Sequence, residues 1–188
     1  MLEAFLVSTG VVAIAEIGDK TQLLALVLAA RFRKPMPIIL GILLATLANH
    51  AFAAAVGAWL IRVLGPEIIR WGLGISFLAM AAWALVPDKF EESERKTDRY
   101  GAFVATLIAF FLVEMGDKTQ VATVALAARY DALVTVVAGT TLGMLIANVP
   151  AVYLGEVAAT KLPMRLVRGV AAAIFAGLGV AALAGFGA

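Results

Sequence analysis

The residues able to do chemistry in this chain are concentrated in one stretch that occurs twice: Ala15-Glu16-Ile17-Gly18-Asp19-Lys20-Thr21-Gln22 and, 98 residues later, Val113-Glu114-Met115-Gly116-Asp117-Lys118-Thr119-Gln120. Each copy sits near the middle of a long apolar segment. A charge at that depth costs about 2.5–3.5 kcal/mol on insertion scales, so ionisable groups there mark a functional site by default. If the helix runs straight through, Glu16 and Asp19, three residues apart, project from one face, as do Glu114 and Asp117. Four carboxylates then converge where the two copies meet. Lys20 and Lys118 adjoin the aspartates and cannot share that direction; each is expected to point toward another helix, a backbone carbonyl or the wet side. Thr21, Gln22, Thr119 and Gln120 add neutral oxygens beside the acids. Gly18 and Gly116 permit close helix approach or a local unwinding that frees carbonyl oxygens.

Four carboxylates and two lysines sum to minus two, which one divalent cation would neutralise and two protons would neutralise equally. The chain has no cysteine and one histidine. An oxygen-rich site of this kind suits hard cations: Ca²⁺ with six to eight ligands, or Mn²⁺ and Mg²⁺ with octahedral preference. A buried carboxylate that loses its cation is neutralised by a proton instead, so the same groups can exchange a divalent ion for protons. The simpler reading is a set of buried salt bridges between helices, but four acids outnumber two lysines.

The elements that must position these groups are membrane helices. The 188 residues are 63% hydrophobic and the mean hydropathy is +0.98, far above a soluble domain. A net charge of +2 and a pI near 9.1 do not indicate nucleic acid, because the basic residues lie in short loops between apolar runs. Runs of spanning length fall at Leu2–Ala30, Ile38–Ile61, Ile68–Val86, Gly101–Ala128, Ala132–Ala158 and Leu166–Ala188. The first resembles a signal peptide but lacks a positively charged start and has a full-length counterpart in the second half, so it reads as a retained span. The first and fourth exceed a hydrocarbon core of about 30 Å and should tilt or break, with the motif glycine as the expected place.

The repeat continues past the motif without a gap: Gly41 matches Gly139, Gly57 matches Gly155, Arg70 matches Arg168 and Phe77 matches Phe175. The expected fold is therefore an all-α integral membrane protein of six transmembrane helices built as two inverted three-helix repeats, residues 1–86 and 101–188, joined by a charged linker, 87–100. Three spans per unit force the second unit to cross the bilayer in the opposite direction, as in many secondary transporters. The linker holds five acidic and four basic residues and reads as a solvated hinge. Alternate loops carry ten Lys/Arg on one side and three on the other, which places both termini outside the cytoplasm and the linker inside.

Glu-x-Gly-Asp-Lys-Thr, twice, in two three-span halves, resembles the small cation/proton exchangers that include Golgi and chloroplast manganese and calcium transporters and bacterial manganese exporters. The resemblance covers essentially the whole chain. It implies that Glu16, Asp19, Glu114 and Asp117 bind the cation, joined by Gln22 and Gln120. It further implies that Mn²⁺ or Ca²⁺ leaves the cytoplasm against H⁺, without a prosthetic group, across a bacterial inner membrane. The partners expected are the metal ion, protons and the lipid bilayer, with no nucleic acid.

Other polar residues are weaker candidates. Asn49 and Asn148 read as carbonyl ligands or as donors behind the ligands, while His50, matched to Asn148 by the repeat, fits a hydrogen-bonded packing role better than ligation. Gly139 and Gly143 form a small-residue helix contact, and Pro150 can kink the fifth span. Trp59, Trp71 and Trp83 near span ends suit an interfacial belt; Glu67 and Glu156 suit solvated span ends. The alternatives left standing are a passive divalent channel and a small-metabolite exporter of similar build. A metal-dependent intramembrane enzyme lacks an obvious nucleophile, so the chain is read as a non-enzyme.

Overall fold

The computed structural model describes residues 1–64, 66–86, 101–154 and 164–185. Among these the secondary structure is entirely helical, in eight helices: α1 (Leu2–Glu16), α2 (Lys20–Phe32), α3 (Pro35–Val63), α4 (Pro66–Ala84), α5 (Gly101–Glu114), α6 (Lys118–Tyr130), α7 (Leu133–Leu154) and α8 (Met164–Leu183). The linker 87–100, Gly155, Glu156 and Lys161 lie outside the described residues, as do the side chains of Arg165 and Arg168.

Among the described residues three helical stretches are by themselves long and apolar enough to cross a bilayer, Pro35–Val63, Glu67–Ala84 and Leu133–Tyr153. The first and fourth apolar runs are not single helices. Each is split at its motif, into α1 with α2 and into α5 with α6. At 1.5 Å per residue α1 and α2 are about 22 Å and 20 Å long, so neither alone matches a core of about 30 Å. The described part of the last run starts at Met164, and its apolar stretch is Gly169–Leu183.

The halves repeat each other at an offset of 98 residues. α2 and α6 begin and end at equivalent positions, and both are followed by a left-handed residue, Arg33 (φ 51°) or Asp131 (φ 44°). Each half also lays its long helix on the other half: α7 packs along α1, and α3 along α5. Glycines make this approach possible. A Cβ on Gly41 would lie 2.7 Å from Thr106 Cβ and 2.9 Å from the Phe103 carbonyl, and one on Gly139 would lie 2.7 Å from the Phe5 carbonyl and 3.0 Å from Ser8 Cβ. These are equivalent residues meeting equivalent residues, with backbone against backbone. Gly143 extends the contact toward the Thr9 carbonyl at 2.6 Å.

α4 packs along α8, where Phe77 and its equivalent Phe175 stack with ring centroids 6.4 Å apart and planes 24° apart. That pair anchors one apolar cluster with Met80 and Leu126, while a second gathers Leu24, Ile38, Ile42, Phe110 and Met144. α7 runs on through Pro150, whose ring removes one backbone donor inside the helix. Trp59, Trp71 and Trp83 are all exposed, as a belt at the membrane surface requires. Glu67 is exposed as well, against Arg70 at 4.0 Å.

Candidate metal centre

The motif is a helix break with a defined geometry. Ile17 has φ −63° and ψ 116°, Gly18 has φ 79°, and Asp19 N–H donates to the Glu16 carbonyl at 3.0 Å. These are the features of a type II turn, whose third position requires a positive φ and so favours glycine. Gly116 repeats it at φ 76°, with Asp117 N–H on the Glu114 carbonyl at 3.1 Å. No neighbour lies within 4 Å of a Cβ built on Gly116, so conformation rather than space demands glycine there.

The break corrects the expectation that each Glu and Asp share one helix face. Glu16 is the last residue of α1 and Asp19 caps α2; Glu114 ends α5 and Asp117 caps α6. Helix periodicity does not carry across a turn, so both acids are placed by the turn itself. An aspartate at an N-cap commonly accepts a hydrogen bond from its own helix. Neither Asp19 nor Asp117 does.

Instead the aspartates reach across to the other copy. Lys20 Nζ lies 3.2 Å from Asp117 Oδ1, and Lys118 Nζ donates to Asp19 Oδ1. Each lysine therefore satisfies the partner repeat's aspartate rather than its own neighbour. The threonines hold the glutamates: Thr21 Oγ1 donates to Glu16 Oε2 at 2.5 Å, and Thr119 Oγ1 donates to Glu114 Oε2 at 3.1 Å. The glutamines brace the turns, with Gly18 N–H donating to Gln22 Oε1 at 2.9 Å and Gly116 N–H to Gln120 Oε1 at 2.7 Å.

All four acids are buried. One oxygen each of Glu16 (Oε1), Glu114 (Oε1) and Asp117 (Oδ2) accepts no hydrogen bond. A buried acceptor without a donor is costly, and either a cation or a proton would relieve it. Carboxylate oxygens of Glu16, Asp19 and Asp117 lie within 4.8 Å of one another. Convergence of all four was expected, but Glu114 is not part of this group of three. The halves are not packed identically: Met115 and Gly116 are exposed at the second break, while Ile17 and Gly18 are only half-exposed at the first.

Asn49 Nδ2 donates to the Phe111 carbonyl at 3.1 Å and ties α3 to α5. Asn148 Nδ2 donates to the Met144 carbonyl of its own helix at 3.0 Å, and its buried Oδ1 accepts nothing. His50 is buried and neither ring nitrogen has a hydrogen-bond partner, so the expected hydrogen-bonded packing is not seen. Buried salt bridges between helices were the simpler sequence reading, and both aspartates are paired in that way while neither glutamate is in such a pair among the described residues; the crossing of each lysine to the other copy was not anticipated. Its only trace in the sequence is that each copy carries both an acid and a base.

Buried acids at the ends of paired apolar helices mark a candidate ion site in a membrane protein. The chain belongs to a family described as the divalent cation/proton antiporter GDT1, whose match covers residues 4–92 and 102–186; it is a family of transporters, not of enzymes. A candidate manganese exporter of Vibrio cholerae is 54% identical over 176 residues, 93% of this chain and 88% of its own. A GDT1-like protein of Synechocystis is 26% identical over 93% of this chain and 94% of its own, and GDT1-like protein 3 of Oryza sativa subsp. indica is 25% identical over 96% and 73%. No solved structure matches the chain.

Proposed function

We propose that the protein exports Mn²⁺ from the cytoplasm in exchange for protons, with Ca²⁺ as the next-ranked cargo. The carrying observation is the cluster of Glu16, Asp19 and Asp117 oxygens within 4.8 Å of one another. Charge bookkeeping supports the coupling. The two crossed Lys–Asp pairs are neutral in themselves, which leaves Glu16 and Glu114 to carry minus two. One divalent cation or two protons cancel that charge, and a low-dielectric setting favours one or the other over neither.

In this reading Glu16, Asp19, Glu114 and Asp117 supply the ligand oxygens in the course of transport, with Thr21 and Thr119 aiming the glutamates. The six-span inverted repeat belongs to the same proposal. Each broken pair crosses the bilayer as one discontinuous span, placing helix ends at the midplane where freed backbone groups face protein rather than lipid. The basic loops put both termini outside the cytoplasm of a bacterial inner membrane. Manganese is favoured over calcium by the name of the relative sharing 54% identity.

The test is ⁵⁴Mn²⁺ flux in proteoliposomes with and without an imposed pH gradient, with Ca²⁺ and Mg²⁺ as competitors. Flux should follow the pH gradient and vanish in Glu114→Gln, while that variant still elutes as folded protein. Flux indifferent to the gradient would mean a channel, and wild-type flux in Glu114→Gln would remove the acids from the mechanism.

A further inference from the structure

The two motif copies are equivalent in sequence but not in their contacts, and the difference centres on the glutamines. Gln22 Oε1 accepts from Gly18 N–H, and its Nε2 donates to the Ala147 carbonyl of α7 at 2.9 Å. One side chain thus fastens the first break to the long helix of the other half. Gln120 makes the equivalent bond to Gly116 N–H at 2.7 Å, but its buried Nε2 has no acceptor. By the 98-residue offset the position equivalent to Ala147 is Asn49 on α3, and Asn49 already ties α3 to the end of α5 through the Phe111 carbonyl. The Asn49 carbonyl is therefore on the helix that faces the second break, and a carbonyl oxygen can accept two hydrogen bonds.

The turn residues run the same way: Met115 and Gly116 at the second turn are exposed, whereas Ile17 and Gly18 at the first are half-buried. The lysines do not follow this order, Lys20 of the first copy being 24% exposed and Lys118 of the second 5%. The first turn is latched and the more covered; the second is unlatched and the more exposed.

We infer that Gln22 and Gln120 are positioning residues forming a two-position latch, in which the Gln22 bond to the Ala147 carbonyl and a Gln120 bond to the Asn49 carbonyl form alternately as the site turns from one side of the membrane to the other. The inference rests on the transport reading and names the contacts that would exchange. An orphaned buried amide is costly to keep, so a state that satisfies it at the expense of its equivalent is close in free energy to this one. The glutamines act on the cation through the turns, which carry Glu16 and Glu114 at one end and Asp19 and Asp117 at the other.

Hydrogen–deuterium exchange by mass spectrometry on the full chain in lipid nanodiscs tests it, comparing residues 15–22 with 113–120. Gln22→Ala weakens the state described here: exchange should rise in 15–22 and fall in 113–120. Gln120→Ala weakens the other state: exchange should rise in 113–120 and fall in 15–22. Each change should be roughly two- to tenfold in rate, the range of one hydrogen bond. A brace acting only on its own turn leaves the opposite motif unmoved, and that result, or no change in either segment, overturns the latch. For a variant that does not fold, the wild-type chain supplies the same readout, because Mn²⁺ under an imposed pH gradient should move the two segments in opposite directions. Movement in the same direction overturns the proposal. Exchange is read without transport, so reciprocal shifts in a chain that carries no Mn²⁺ would sink the transport reading alone, while purely local shifts in an active Mn²⁺/H⁺ exchanger would sink the latch alone.

Discussion

Lys20 lies 3.2 Å from Asp117, in the other copy of its own motif, and not against Asp19, its neighbour in the chain. With the reciprocal pair of Lys118 and Asp19, this makes the two halves electrostatically incomplete without each other. Removing one member of a buried ion pair strands the other, at about 3–5 kcal/mol. Lys118→Met should cost that much in thermal unfolding of the purified protein. Lys20→Met should cost less, because its side chain is 24% exposed where that of Lys118 is 5% exposed. The double variant Lys118→Met/Asp19→Asn should recover most of the loss, and a double variant no more stable than Lys118→Met would show that the pair is not the source.

The turn glycines give a sharper contrast. Gly116→Ala forces a side chain into a left-handed backbone at about 1–2 kcal/mol, although space for the methyl group is open. Gly116→Asn should be tolerated better, because asparagine visits that region readily. Flux and melting temperature should both rank Gly, Asn, Ala. If alanine matched glycine, the turn would not be needed.

Thr119→Val and Thr21→Val remove the hydroxyls that orient Glu114 and Glu16 while keeping the side-chain volume. Mn²⁺ affinity measured by titration calorimetry should fall by roughly ten- to a hundredfold for each, the scale of one hydrogen bond to a charged group. Each variant also leaves a buried glutamate oxygen without its donor, so stability in thermal melting should fall by about 1–3 kcal/mol while the protein still folds. Unchanged affinity in both would mean that the glutamates are aimed by something else.

At the glycine contacts, Gly41→Val and Gly139→Val should each destabilise by about 1–3 kcal/mol through overpacking against α5 and α1. Gly72→Ala should be close to neutral, because its Cβ meets nothing within 4 Å. Similar losses at all three positions, in a denaturation series in detergent, would contradict the close approach of these helices.

Much was legible in the amino-acid order alone. Duplication of Glu-x-Gly-Asp-Lys-Thr-Gln at a constant offset singled out the acids as candidates and pointed to the family, and an overlong apolar run with a central glycine located both helix breaks. These are local properties: composition, spacing and the conformational freedom of one residue type. What neighbouring residues could not reveal was where each side chain goes after the break. A straight helix puts Glu16 and Asp19 on one face, whereas a type II turn assigns them to different helices and lets Asp19 reach Lys118. The crossed ion pairs, the fastening of Gln22 to α7, and the approach of Asp117 to Glu16 and Asp19 are all contacts between residues about one repeat apart or farther. No periodicity encodes them. They follow from how closely α1 meets α7 and α5 meets α3, which packing of the folded chain decides.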